Sequence, residues 1–227
     1  MASVLSLPEV VPHFPVYLFD VDGTLLDSAQ DICAAIQGSL CETRHRDVSH
    51  QLLRRYIGRH LIDLFQDLLP EYSREQMDAL VVEYRRIYLG RNHGLTRPYP
   101  GVAEALAALP GRKSTATTKG TPTTRLVLER FGLLAYFDHV QGTDGFPAKP
   151  EPDVILASLA ALGAAPEDCL LVGDSAADME AGQRAGVKTC AVLWGYGERD
   201  ELACWSPDYW ISDPNELASC SRFSRPV

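Results

Sequence analysis

Val16-Tyr-Leu-Phe-Asp20-Val-Asp22-Gly23-Thr24-Leu25 is the stretch on which the fold turns. Its first half is a short unbroken apolar run, closed by acidic residues and a glycine. Continuous hydrophobicity over so few residues suits a strand buried on both faces. Similar runs follow at Lys113-Ser-Thr-Ala-Thr117, Cys169-Leu-Leu-Val-Gly173 and Val187-Lys-Thr-Cys-Ala-Val192. Between them lie helical patterns at 102–109, 123–131, 153–162 and 176–185. Asp208-Tyr-Trp-Ile-Ser212 reads as a last short strand, and Asp213-Pro-Asn-Glu-Leu217 as a capped helix. Strand and helix in alternation predict βαβ units, hence an α/β fold with a doubly wound parallel sheet.

One region breaks the alternation. From Ser28 to Arg97 the apolar residues recur at three- and four-residue intervals, as in Ile62, Leu64, Phe65, Leu68, Leu69 and in Met77, Leu80, Val81, Tyr84, Ile87, Tyr88. That spacing builds helices with one buried face. The expectation is a core domain from 1–27 and 98–227, with a small all-helical domain, 28–97, inserted after the first strand. Arg97-Pro98-Tyr99-Pro100-Gly101 is the natural return linker, since Pro and Gly punctuate strongly.

Bulk properties narrow the function classes. The chain has 227 residues, a formal charge of -9 and an isoelectric point near 5.1. An acidic surface repels nucleic-acid backbones, so no nucleic-acid partner is expected. No stretch reaches the length of a membrane-spanning helix, so no membrane partner is expected either. Met1 to Pro15 has no basic start, carries Glu9 and is broken by prolines, unlike a secretory signal. Cys33, Cys41, Cys169, Cys190, Cys204 and Cys220 lack metal-site spacing and read as free thiols in a reducing, cytoplasmic compartment. A monomer and a homodimer are equally compatible with the sequence.

In open α/β sheets, ligands bind beyond the carboxyl ends of the strands. That rule collects Asp20-Val-Asp22-Gly23-Thr24, Thr117-Thr118-Lys119, Lys149-Pro150-Glu151-Pro152-Asp153 and Gly173-Asp174-Ser175-Ala-Ala-Asp178 at one rim. Singly, each has a plain explanation as a turn residue, a helix cap or a solvated charge. Jointly they describe phosphoryl transfer. Carboxylates crowded at one rim call for a hard cation, and oxygen ligands suit Mg²⁺. Lys149, Thr117 and backbone N–H groups near Gly23 would hold phosphoryl oxygens. One carboxylate can attack phosphorus, while a second protonates the leaving alkoxide and later deprotonates water.

Asp20-Val-Asp22-Gly23-Thr24-Leu25 resembles the first motif of the haloacid dehalogenase superfamily of phosphohydrolases. Thr117 resembles the second motif, Lys149 the third, and Gly173-Asp174-Ser175-Ala-Ala-Asp178 the fourth. The resemblance runs from about residue 16 to 217. It implies a Rossmann-like core with a helical cap, Asp20 as nucleophile and Asp22 as general acid/base. It also implies Mg²⁺ held by Asp20, Asp174 and the backbone carbonyl of Asp22, with Asp178 behind them. Thr117 and Lys149 would bind phosphoryl oxygens, with Gly23, Thr24 and Thr118 as further substrate-binding candidates. An aspartate at position 22 points to phosphate esters rather than to dehalogenation or phosphonate cleavage. Asp27-Ser28-Ala-Gln-Asp31-Ile32 and Trp194-Gly195-Tyr196-Gly197-Glu198 resemble the phosphoglycolate phosphatase group, implying a small phosphate monoester such as phosphoglycolate or a sugar phosphate.

Three rivals follow from the same residues. A sugar phosphomutase of the β-phosphoglucomutase type shares every core motif. A response-regulator receiver also joins an acceptor Asp with a Thr and a Lys, but is shorter and lacks the insertion. A degenerate binding protein of the same family would be expected to have lost Asp20, Asp22 or Lys149, and all are present. Within the insertion, Arg59 and His60 follow Gly58 at a helix junction and are the candidate contacts for the non-transferred part of the substrate, favouring a small anionic leaving group. The remaining insertion arginines, Arg91 among them, read as a solvated helix face. Trp194, Tyr196, Trp205, Tyr209 and Trp210 read as packing residues.

Overall fold

The computed structural model describes residues 10–218. Its main sheet has five parallel strands, β1 (Val16–Phe19), β4 (Arg112–Thr115), β5 (Cys169–Gly173), β6 (Lys188–Val192) and β7 (Tyr209–Ile211), in the order β4-β1-β5-β6-β7. Along β1, Tyr17 and Phe19 enter one hydrophobic cluster and Val16 and Leu18 the other. Both pleat faces are therefore buried, which is why the run is apolar throughout rather than alternating. Helices α5 (Val102–Ala108) and α6 (Thr121–Arg130) cover the first face. α7 (Asp153–Leu162) and α8 (Ala176–Ala185) cover the second. The α/β, doubly wound reading holds.

Because β1 lies between β4 and β5, the carboxyl ends of these strands are neighbours. Register pairs Phe19 with Thr115 on one side and with Val172 on the other. The residues just beyond, 20, 116–117 and 173–174, must then crowd one rim.

Four helices fill the stretch between Asp27 and Arg97: α1 (Ala29–Ser39), α2 (His50–Arg54), α3 (Leu61–Leu68) and α4 (Arg74–Gly90). They share a cluster of their own, with Ile36, Leu53, Leu64, Phe65 and Tyr88 buried. Each such side chain stabilises the packed state by about 1.5–3 kcal/mol. Ser73 begins α4 with a capping box, accepting from the Gln76 N–H while Gln76 accepts from Ser73. The chain leaves through β2 (Leu26–Asp27) and returns through β3 (Arg97–Pro98), paired antiparallel. A short ribbon thus stands where the sequence suggested only a linker. α9 (Arg199–Ala203) packs Leu202 with Met179 and Ala191.

Two element expectations change. The strand expected over 113–117 ends at Thr115, and Thr117 keeps a single bridge to Gly142, because the chain turns out of the sheet there. The segment expected as a tail helix is one 3-10 turn, Pro214–Leu217, too short for an α-helix but capped as foreseen by Asp213 and Glu216. Cys33, Cys169 and Cys190 are buried free thiols, and Cys41 and Cys204 exposed ones. The start of the Met1–Pro15 stretch and Cys220 lie outside the described residues. No described helix is long and apolar enough to cross a membrane.

Candidate active site

The Asp20 N–H continues the β1 ladder to the Val172 carbonyl at 2.9 Å, so its side chain leaves the sheet from a rigid base. Lys149 Nζ donates to Asp20 Oδ1 at 2.8 Å, to the Ala116 carbonyl at 2.8 Å and to Asp178 Oδ1. Both Lys149 and Asp20 are buried, yet Asp20 Oδ2 has no partner. Asp174 follows β5 and accepts from Thr24 Oγ1 at 2.8 Å and from the Tyr196 N–H at 2.8 Å. Gly23 makes this approach possible. At φ +99° it occupies the left-handed region, and a Cβ there would stand 2.2 Å from Asp174 Oδ2. Asp178 caps α8: its Oδ2 accepts from the Ser175 N–H at 2.9 Å while its other oxygen faces Lys149.

Oxygens of Asp20, Asp174 and Asp178 lie within 4.8 Å of one another, and all three residues are buried. Burial pushes the Asp20 carboxyl up to about 6, with Lys149 opposing and Asp178 and Asp22 adding to the rise. Burial, then Asp20 and Asp178, push Asp174 up to about 8. The Lys149 ammonium is penalised by burial, but Asp178 and Asp20 outweigh that and hold it charged, above the ordinary lysine value. One ammonium among three buried carboxylates leaves a deficit of positive charge, and the open oxygen of Asp20 faces it. A divalent cation with oxygen ligands answers both facts.

Asp22 is gripped on both oxygens, by Ser28 Oγ at 2.6 Å and by Lys119 Nζ at 3.1 Å. Lys119 also meets the Tyr88 hydroxyl at 3.0 Å and lies 4.4 Å from the centre of that ring. It therefore joins the strand-end rim to α4. Burial disfavours its charge, but Asp22 and the Tyr88 and Tyr84 hydroxyls more than offset this and raise its pKa well above the usual value. In the sequence, Lys119 closes the strand-end motif Thr117-Thr118-Lys119 with no role attached to it. A lysine two residues beyond Thr117 was the signal.

Thr117 is buried, and its Oγ1 accepts from the Lys119 N–H at 3.3 Å. Thr118 is half-buried on the wall of a cavity of about 200 Å³ between the rim and the helices. Arg59 and His60 reach the same cavity from its exposed edge. His60 also has a local task, since its Nδ1 accepts from the Ile62 N–H at 3.2 Å as the N-cap of α3. Arg59 stacks on Tyr56 at 5.2 Å.

Other sequence readings meet mixed outcomes. Arg91 is not part of a solvated face: it donates to the buried Asp31 at 2.9 Å, because the end of α4 folds back on α1. Trp194 and Tyr209 pack against the sheet core, and Trp205 and Trp210 against the Met179 cluster, as expected of packing residues. Tyr196 does more than pack. Its hydroxyl accepts from the Ser28 and Ala29 N–H groups at 2.7 and 2.9 Å, and the Arg54 guanidinium lies 4.8 Å from its ring centre.

Comparison with known proteins agrees with this geometry. The family model described as haloacid dehalogenase-like hydrolase matches residues 17–192. The chain is 37% identical over 206 residues to a phosphoglycolate phosphatase of Aquifex aeolicus, covering 89% of this chain and 94% of that one. It is 29% identical over 204 residues to the pyrophosphatase PpaX of Oceanobacillus iheyensis, covering 88% and 93%. A haloacid dehalogenase-like family hydrolase from Streptococcus pneumoniae superposes with a TM-score of 0.82 at 27% identity, covering 90% and 96%. With Asp20, Lys149 and the acidic loop on one rim of the shared fold, this chain belongs to the haloacid dehalogenase-like hydrolases.

Proposed function

We propose that the chain is a Mg²⁺-dependent phosphatase that hydrolyses a small phosphate monoester through an aspartyl-phosphate (acyl phosphate) intermediate on Asp20. The observation that carries this is the Asp20 carboxylate itself, buried, tied to Lys149 through one oxygen and unpartnered at the other. In the first half-reaction an Asp20 oxygen forms a bond to phosphorus as the bond to the alcohol oxygen breaks, and Asp22 gives that oxygen a proton. In the second, Asp22 takes a proton from water, whose oxygen attacks phosphorus, and the Asp20 carboxylate is released with inorganic phosphate. Lys149 and Thr117 hold the equatorial oxygens of the phosphoryl group while charge builds on them. Asp20, Asp174 and the backbone carbonyl of Asp22 would hold Mg²⁺, with Asp178 fixing Lys149 and the α8 turn behind them. The cation supplies positive charge to the phosphoryl oxygens and to the crowded carboxylates.

Residues 28–97 act in this reading as a cap domain on the core of 1–27 and 98–227. Contacts from Tyr88 to Lys119 and from Arg54 to Tyr196 support it, since each joins an inserted helix to the rim. Closing the cap would exclude water from the first half-reaction.

The test is phosphate release from a panel of small esters, with and without Mg²⁺. Release that needs Mg²⁺ and is abolished by Asp20→Asn is the expected result. Asp22→Asn should lower kcat by about 10²–10⁴-fold, the usual contribution of a positioned acid/base. Undiminished release by Asp20→Asn would sink the mechanism. Isomerisation of a sugar phosphate without net phosphate release would instead make the enzyme a mutase.

A further inference from the structure

The cavity between rim and helices bears on the alcohol rather than on the phosphate, and its meaning rests on the phosphatase reading above. Asp22, which protonates the leaving oxygen, forms part of the wall, so the alcohol attached to that oxygen must project into this space. Beyond Asp22, Lys119, Thr118 and Thr123, part of the wall is apolar, with Ile32, Ile36, Leu64 and Val81. Tyr84 and Tyr88 add two stacked rings, 5.6 Å between centres and 13° between planes.

Size and polarity point the same way. The volume is about 200 Å³. A cavity of roughly 150 Å³ lined by aliphatic and aromatic side chains accommodates benzene. A two-carbon acid such as glycolate would leave most of the space empty. Its carboxylate would also be stripped of water against aliphatic side chains, a costly placement without a cation to meet it. Lys119, the buried cation of the wall, is already engaged by Asp22 and Tyr88. Arg59, His60 and Arg85 line the cavity too, but all three are exposed and stand at its outer edge.

We infer that the favoured substrate is a phosphate monoester whose alcohol carries a ring or an apolar body of about benzene's size, held between the Tyr84–Tyr88 pair and the aliphatic wall. The small hydroxy acid phosphates suggested by the relatives' names are then the poorer substrates of this chain.

The experiment compares kcat/KM for 2-phenylethyl phosphate, ethyl phosphate and phosphoglycolate with Mg²⁺ present. The first two release alcohols of similar acidity, so a difference reports the cavity rather than the leaving group. The expected ratio of phenylethyl to ethyl is at least about tenfold, the low end of what one methylene decides in an apolar pocket. Val81→Phe, which fills the cavity, should cut that ratio severalfold. In a separate measurement without turnover, 2-phenylethanol should raise the Tm of the wild type and ethanol at the same concentration should not. Mg²⁺-dependent hydrolysis in which phosphoglycolate equals or exceeds the phenylethyl ester, or an absence of protection by 2-phenylethanol, overturns the inference while leaving the phosphatase reading standing. Folded protein that hydrolyses none of the three esters and fails on the wider panel overturns both.

Discussion

Lys149 touches Asp20, Asp178 and a backbone carbonyl from a fully buried position. Removing one partner of a buried charge pair costs about 3–5 kcal/mol, because the charge left behind has neither water nor a counter-ion. Lys149→Met should therefore lose activity and also unfold at lower temperature, by about 2–4 °C per kcal/mol in a chain of this size. Calorimetry showing an unchanged Tm would mean that the carboxylates are satisfied some other way. Lys119 sits differently, since it orients Asp22 from the side and reaches across to Tyr88. Lys119→Met should lower kcat about ten- to a hundredfold through misplacement of Asp22, with less effect on Tm than Lys149→Met. Steady-state kinetics with kcat and KM both unaltered would remove Lys119 from the machinery. Sequence alone marked Lys149 through its motif, but Lys119 acquires its importance from two partners distant in the chain.

At the scale of elements, Asp31 in α1 ties the inserted helices to the segment that leads into the return strand β3. It accepts from Arg91 at 2.9 Å, from the Leu95 N–H at 2.9 Å and from Thr96 Oγ1 at 2.8 Å. Burial alone would raise its pKa, but these donors, Thr96 and Leu95 foremost, bring it below the usual carboxylate range. Asp31→Ala strips its partner from the buried Thr96 hydroxyl, at about 1–3 kcal/mol for the group left unsatisfied, and from the part-buried Leu95 N–H. The expected outcome is a lower Tm together with faster hydrogen exchange at Leu95 and Thr96. Protection unchanged at those two amides would show that the return strand is held without Asp31. The helical periodicity of the insertion was legible because one buried stripe recurs every turn. This joint was not, because an aspartate that opens a helix looks the same whether it meets solvent or a distant arginine.

Over the whole molecule, folding drives Asp20, Asp174 and Asp178 into one buried cluster, and that has a pH signature. Asp20 and Asp174 rise from an ordinary value of 3.8 to about 6 and about 8. Between those limits the folded, metal-free chain holds protons that the unfolded chain has released. The stability these groups contribute is thus fully present below pH 3.8 and drains away as pH rises through about 6 and about 8. A bound divalent cation relieves the repulsion that costs this stability. The Tm gain on adding Mg²⁺ should accordingly be larger at pH 8 than at pH 5, and equal gains would disconnect the cluster from the metal. The sequence by itself determined the parallel sheet, the place of the helical run after the first strand and the aspartates and lysine that gather at the rim, since both-face burial and strand-end chemistry leave local marks. Only the tertiary structure decided that Lys119 grips Asp22 and that Tyr196 secures the start of α1. It alone also shaped the ring-sized cavity against the rim. Those depend on distances between side chains 31 to 168 positions apart, and local sequence pattern carries no information about separations of that length.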